Sequence, residues 1–435
     1  MKKHIFYIFF LFFIAPVFLH AQELTWQDCV NEAIKNNLEI LSAKAKLEQA
    51  KANAWVAKSS VFPQISASAS ASKSGSEPAP GSTNEIGAGT TYSSNYYSES
   101  YSYGISARQI LFDGLKSLND INKSNKELEI AEINYKRTSA SLRYKLRQSF
   151  INLMKAQELI KITEDILQRR KKQYMDIRLR YEAGKEHKGS LLNSSASLSQ
   201  AEFENEQAKR NLSLVQQSLA NAIGRENFEE IKVNSDFVLT INLNQEPDFE
   251  QILLKNYDYI LLDLTKKSAE CSYASSIGSF FPSVSLNGSI SRSGEKFLPE
   301  DTGWSLGINI SLPILDGGLL IAKVRSAGAN LQQAEKDFEY GRKDILLNIK
   351  QAWNSLLDAK NNCEIQDKFL EAANERAKIA DVQYSNGLLN FDNWIIIQDN
   401  LVNTKKSYIN AEANLLITED AWIQIKGGTL EDEKQ

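Results

Sequence analysis

The sequence predicts a mixed α/β membrane protein in which long antiparallel helical hairpins of coiled-coil character join four transmembrane β-strands per chain. Three observations lead there. The two halves of the chain match each other, four runs of about ten residues alternate apolar with small polar side chains, and residues 115–183 contain neither Gly nor Pro.

At the amino terminus, Lys2, Lys3 and His4 precede an apolar run from Ile5 to Phe18 that ends in Leu19-His20-Ala21 before Gln22. That layout is a secretory signal peptide over 1–21, with cleavage expected after Ala21, and the run is too short to favour a retained spanning helix. Gln22, not Cys, follows the cleavage point, so an exported, unlipidated chain is expected. Export leaves His187 alone of the histidines, which removes the clusters that metal sites and Ser-His-Asp catalysis need. Cys29, Cys271 and Cys363 are an odd number in an oxidising compartment and read as small packing residues, not a disulfide framework. With 50 Lys plus Arg against 54 Asp plus Glu, the near-neutral chain carries no nucleic-acid footprint. It has no Gly-x-x-x-x-Gly-Lys-Ser/Thr run, so any energy must be supplied from outside. Neither catalysis nor a cofactor is expected.

The internal repeat organises the rest. Val61-Phe62-Pro63-Gln64-Ile65-Ser66 resembles Phe280-Phe281-Pro282-Ser283-Val284-Ser285, and Leu111-Phe112-Asp113-Gly114 matches Ile314-Leu315-Asp316-Gly317 at an offset of 203. The same offset then carries Tyr181-Glu182-Ala183-Gly184 onto Tyr384-Ser385-Asn386-Gly387, and Gly224 onto Gly427. Each half reads helix, strand, loop, strand, long helix, Gly turn, helix. The expected divisions are 22–224 for the first repeat, 225–246 for a linker, 247–427 for the second repeat and 428–435 for a tail. A Ser/Gly/Glu-rich insertion from about Gly75 to Asn95 marks an exposed loop tip.

The strands show period two. Val284, Leu286, Gly288 and Ile290 alternate with Ser283, Ser285, Asn287, Ser289 and Ser291. Trp304, Leu306, Ile308, Ile310 and Leu312 alternate with Ser305, Gly307, Asn309 and Ser311. In the first half Tyr101, Tyr103, Ile105 and Ala107 alternate with Ser and Gly, and Ile65, Ala67, Ala69 and Ala71 give a weaker version. A soluble sandwich also alternates. Here the polar face is Ser, Asn and Gly with hardly a charge, and Tyr96, Tyr97, Tyr101 and Trp304 stand towards strand ends. Those features favour a water-filled lumen and an interfacial aromatic girdle, with Tyr101, Tyr103, Ile105, Leu286, Ile290, Trp304, Leu306, Ile308 and Ile310 facing lipid.

Four strands cannot close a barrel, and an open edge in hydrocarbon leaves backbone groups unpaired at several kcal/mol each. Two copies would give a bore filled by side chains; three give twelve strands and room for water. Beyond the strands, a helix from about Ser117 to Ala183 would rise ~100 Å at 1.5 Å per residue. Apolar residues recur along it at sevens, as Leu146, Leu153, Ile160, Leu167, Tyr174 and Tyr181, and in the second half as Ile349, Leu356, Cys363, Leu370, Ala377 and Tyr384. This is the register of a coiled-coil seam. Leu198, Leu212 and Leu219, with Leu401, Leu415 and Trp422, continue it on the returning helices.

The signal peptide, the duplicated plan, the paired Phe-Pro strand starts, the Asp-Gly turns and the Tyr-x-x-Gly turns together resemble the TolC family of outer-membrane efflux proteins, over nearly all of the mature chain. The resemblance implies a homotrimer whose twelve-stranded barrel in the outer membrane continues into a helical periplasmic tunnel. It also implies two partners, a periplasmic adaptor (membrane fusion protein) and an inner-membrane transporter, in a tripartite efflux or type I secretion system. By the same resemblance, Tyr181, Gly184 and Lys185, with Tyr384, Gly387 and Asp392, lie at the two hairpin tips that meet the adaptor and close the resting tunnel. Several family members carry acidic residues six and nine positions after the second tip glycine; Asn393 and Ile396 stand there in this chain, with Asp392 and Asp399 out of register. The function implied is a passive exit duct. A secreted coiled-coil structural or adhesive protein, and a periplasmic adaptor, remain as rival readings of the helices alone.

Overall fold

The computed structural model describes residues 22–76, 96–226, 230–234 and 245–434. The signal peptide, most of the Ser-rich loop and much of the inter-repeat linker lie outside the described residues. In chain order the elements are β1 (Gln22–Leu24), α1 (Trp26–Asn36), α2 (Leu38–Ser59), β2 (Gln64–Ser76), β3 (Tyr96–Phe112), α3 (Lys116–Glu182) and α4 (Lys188–Ile223). The second half follows with β4 (Ile231–Val233), α5 (Phe249–Lys255), α6 (Tyr257–Gly278), β5 (Ser283–Gly294), β6 (Thr302–Ser311), α7 (Leu319–Ser385) and α8 (Phe391–Ile425), then a 3-10 turn at Glu431–Lys434. Each half is the expected helix–strand–strand–long helix–helix, and α3 and α7 have the same length, 67 residues.

Two compact units are present, each drawing on both repeats: one from the described residues of 1–42, 137–252 and 348–435, the other from 43–136 and 253–347. In the first unit, α1 starts at a capping box in which Thr25 and Asp28 satisfy each other's backbone N–H groups. Its buried face, Cys29, Val30 and Ala33, belongs to a core that includes Leu146, Phe150, Leu153, Leu219, Ile223 and Trp422. Burying each of the large side chains contributes roughly 1.5–3 kcal/mol. Cys29 is fully buried, and desolvation pushes its thiol up to about 12, as expected of a packing residue. The short parallel pair of β1 with β4 is a feature that three-residue strands could not announce in the sequence. The C-terminal tail is tied to this unit: Ser139 bonds Glu431, Arg143 bonds Glu433, and the indole N–H of Trp26 donates to Glu433 at 3.0 Å.

In the second unit, the four long strands form one antiparallel sheet in the order β2-β3-β5-β6. Three strands run beyond the expected ten residues, β5 to 12, β2 to 13 and β3 to 17, so Tyr101 sits inside β3, not at its end. A bulge between Ile110 and Phe112 ends the regular β3–β5 pairing, and the Asp113-Gly114 turn follows. Gly114 has φ +70, and a Cβ there would lie 2.2 Å from the carbonyl of Gly278, so only glycine fits.

The structure corrects one sequence expectation. In the first half the buried seam of α3 is not the stripe of sevens beyond Leu153: Tyr181 is exposed, Ile160 and Leu167 are half-buried, and Thr163, Ile166, Arg170, Gln173 and Ile177 take the buried places. A straight helix drifts ~20° per heptad, which over several heptads turns a strict seven-residue stripe off the contact. In α7 the stripe holds better, with Ile349, Leu356 and Ala377 buried and Cys363, Leu370 and Tyr384 half-buried.

Candidate functional site

Two regions carry the chemistry, and each is built from the local sequence. The first is the sheet. Directly opposed residues of antiparallel strands share a face, so the register sorts every side chain. Ala67 pairs with Ile105, Ile105 with Ile290, and Ile290 with Trp304; likewise Leu286 pairs with Ile308 and Val284 with Ile310. Tyr101, Tyr103 and Leu306 fall on that same apolar face, so all nine residues assigned to lipid share one side. Trp304, Leu306, Ile308 and Ile310 are each more than 60% exposed, an oily surface that the single chain leaves uncovered. Charge enters this face only towards the loop end, where Lys73 pairs with Glu99 at 2.9 Å and Arg292 bonds Thr302. There too Phe297 packs edge-on against Tyr101 and Tyr103, and the Tyr103 hydroxyl donates to the Phe297 carbonyl at 2.6 Å.

The opposite face is a field of hydroxyls. Ser66 meets Ser106 at 2.8 Å, Ser70 meets Ser102 at 2.9 Å, and Ser289 meets Ser305 at 2.9 Å, while the Asn287 amide donates to Ser285. These cross-strand pairs satisfy part of each hydroxyl and leave the remainder for water.

The second region is the pair of hairpin tips, in the first unit. Both long helices end in a glycine with positive φ, Gly184 at +69 and Gly387 at +75. At each, the glycine N–H donates three residues back, to Tyr181 and Tyr384, and the next N–H donates five back, from Lys185 to Arg180 and from Leu388 to Gln383. That is the Schellman closure, and it explains the Tyr-x-x-Gly spacing without any partner. The returning helices are then capped by equivalent residues: His187 accepts from the Ser190 N–H at 3.2 Å and Asn390 from the Asn393 N–H at 2.9 Å.

The tips pack on each other through Ile177, Phe391 and Ile395, with Leu191 alongside. Tyr384 stacks on Trp394 at 4.6 Å and 13°, and the Arg180 guanidinium sits 4.8 Å over the Tyr384 ring. Burial pushes the Tyr384 phenol up, and its hydroxyl is buried without a hydrogen-bond partner. Asp381 accepts from both Trp394 and Gln398 at 2.8 Å. A cleft of about 410 Å³ opens here, lined in part by Arg169, Arg170, Arg180, Asp381 and Trp394. In its wall buried Arg170 pairs with Asp399 and donates to Gln173; outside it, Lys406 pairs with Glu204 at 2.6 Å.

Of the expected tip residues, Tyr181, Gly184, Lys185, Gly387 and Asp392 are exposed around the two turns, and Tyr384 is drawn into the packed cluster. Sequence reasoning missed Arg180, Asp381, Trp394 and the Arg170–Asp399 pair. His187 and Asn390 share the offset of 203, so their equivalence as caps could have been found. Among the described residues no helix is long and apolar enough to cross a membrane.

Comparison with known proteins agrees with this geometry. The family model for outer membrane efflux proteins matches residues 29–225 and 264–428. The chain is 20% identical to the outer membrane efflux protein BepC of Brucella suis, over 96% of this chain and 90% of that one. It is 21% identical to the cation efflux system protein CusC of Escherichia coli K12, over 92% and 85%. Among solved structures, the CmeC outer membrane channel of Campylobacter jejuni superposes with a TM-score of 0.80 at 19% identity, covering 92% of this chain and 84% of that one. The open state of the MtrE outer membrane channel of Neisseria gonorrhoeae gives 0.80 at 17%, covering 94% and 90%.

Proposed function

The chain belongs to the outer membrane efflux protein family, and from that membership we propose how its parts share the work of a channel. It is an outer-membrane efflux channel of a tripartite system, without catalysis of its own. The rival readings as an adhesive coiled coil or an adaptor fall with the family match.

Three copies close a twelve-stranded barrel. β2 and β6 are the edges of the sheet, and strand direction alternates across it, so β6 of one copy meets β2 of the next antiparallel. Closure removes the edges, which lipid does not tolerate. The apolar face that carries Ile105, Leu286, Ile290 and Leu306 turns to lipid and the serine face to the bore. The observation that carries this reading is the segregation of the two faces across all four strands, with the β3–β5 register unbroken from Tyr101–Gly294 to Ile110–Ser285 and shifting only at the bulge before Phe112.

Helical hairpins line a periplasmic tunnel, and the tips at Tyr181, Gly184, Lys185, Tyr384, Gly387 and Asp392 receive a periplasmic adaptor that connects to an inner-membrane transporter. Docking splays the hairpins about Gly184 and Gly387 and parts Arg170 from Asp399, a shift between closed and open bundles. Cargo is selected by the transporter. Native mass spectrometry of the detergent-extracted protein is expected to give the mass of three chains. A monomer that stays soluble without detergent overturns the barrel.

A further inference from the structure

Among the described residues of the four strands, Arg108 is the one charged side chain on the serine face. Its register partners are Gln64 on β2 and Asn287 on β5, and Asn287 pairs in turn with Gly307 on β6. The row is therefore neutral apart from the guanidinium. Arg108 is exposed, in a shallow depression of about 510 Å³ that it shares with Gln64, Ser66, Ser106, Asn287 and Ser305. A Cβ added at Gly307 would meet nothing within 4 Å, so the far side of the row is open as well. The lipid-facing side of the sheet tolerates charge only near its loop end, whereas Arg108 lies towards the other end, four residues before Phe112, where β3 stops.

We propose that Arg108 forms a ring of three positive charges in the barrel bore and makes it a binding constriction for oligoanionic solutes, those that carry several carboxylate, sulfonate or phosphate groups. The inference rests on the three-copy barrel proposed above. Twelve strands spaced ~4.8 Å apart and tilted ~40° close at a radius of ~12 Å, and inward-reaching Arg side chains then bring their charges to ~6 Å from the axis. That distance is shorter than the Debye length of ~8 Å at physiological salt, so the field spans the bore there and does not stay at the wall. A guanidinium is well matched to such ligands, because it stays charged and its planar fork takes carboxylate or phosphate oxygens in pairs. The serine hydroxyls around it donate to the same anions without competing for the charge. At the tip, by contrast, Asp399 is paired with Arg170, and Asn393 and Ile396 are uncharged.

The test uses the full-length trimer in detergent and pyrene-trisulfonate (8-hydroxypyrene-1,3,6-trisulfonate) as the probe, followed by fluorescence anisotropy. Saturable binding of one probe per trimer is expected, weakening as salt rises from 50 to about 500 mM, where the screening length falls towards ~4 Å. Arg108→Gln is expected to weaken binding about tenfold or more, while Arg108→Lys retains most of it. Equal binding by R108Q, three independent probes per trimer, or no saturable binding by a sample of trimeric mass overturns the ring. A sample that is not trimeric overturns the barrel first and the ring with it, and the mass measurement tells the two failures apart.

Discussion

At the scale of single residues, Asp420 is where burial and pairing oppose each other most. It is 3% exposed; Oδ1 accepts from Arg143 at 2.8 Å, and Oδ2 is buried without a hydrogen-bond partner. Arg143 is shared with Glu433, and Arg147, Glu419 and Tyr144 stand close enough to feel the cluster. Desolvation outweighs the two arginines and pushes the carboxyl up from 3.8 to about 6. An acid raised in this way holds more protons folded than unfolded between those values, so its share of stability is present below about pH 4, is lost as pH rises to about 6, and stays lost above. The carboxylate form is disfavoured by on the order of 2–3 kcal/mol. Asp420→Asn removes the titration and keeps an acceptor for Arg143. The melting temperature of the parent protein relative to D420N is expected to climb between pH 7 and pH 5; a difference that ignores pH counts against the assignment. None of this was legible beforehand, because Arg143 and Asp420 are 277 positions apart and only the fold brings them together. Gly184, Gly387 and Gly224 were legible because turn chemistry is local.

At the scale of elements, those glycines separate into two kinds. Gly224 has φ +82, and a Cβ there would lie 2.6 Å from the backbone of Asn36, so the end of α4 is pressed against the end of α1. Gly184 and Gly387 also have positive φ, yet an added Cβ meets nothing within 4 Å at either. Gly224→Ala is therefore expected to lose folded protein, through strain and collision together. Gly184→Ala and Gly387→Ala are expected to cost only the left-handed backbone penalty, about 1–2 kcal/mol each, and to assemble normally. If the tips receive an adaptor, export by G387A falls while its melting temperature drops by only a few degrees and its trimer mass is unchanged, because the added methyl obstructs only an incoming surface. Normal export by both tip variants counts against a close approach at these turns. The strands were legible in type and face, since period two survives any error in length. Their ends were not, because pairing carried β2 and β3 past the apolar run into serine and tyrosine. The seam of α3 was misplaced for a related reason: apolar spacing reports the helix's own periodicity, whereas buried Arg170 and Gln173 report what the neighbouring helix offers them.

At the scale of the whole molecule, a mean hydropathy of −0.36 and the lack of any membrane-crossing helix among the described residues suit a protein whose contact with lipid is confined to one face of four strands. The rest of the surface can be as polar as water on both sides of a tunnel requires. This division makes a sharp demand on neighbouring positions. Ser305 and Leu306 are adjacent in β6, yet the register puts Ser305 opposite Ser289 on the hydroxyl face and Leu306 opposite Gly288 on the apolar face. If the apolar face meets lipid as proposed, a Lys at 306 enters hydrocarbon, at about 2–4 kcal/mol near the bilayer midplane and three times over in a trimer. A Lys at 305 would enter a wide aqueous bore, where its charge stays hydrated and the cost is small. Leu306→Lys is therefore expected to strip the trimer from outer-membrane fractions, while Ser305→Lys accumulates there at the parent level and alters only the electrostatics of the bore. Soluble sandwiches bury the apolar face in protein and expose the polar one, so L306K would unfold such a protein outright and leave no detergent-extractable species. A trimer sensitive to S305K and indifferent to L306K would mean that the two faces are assigned the wrong way round, and the ring of Arg108 would then face lipid, where it could not persist.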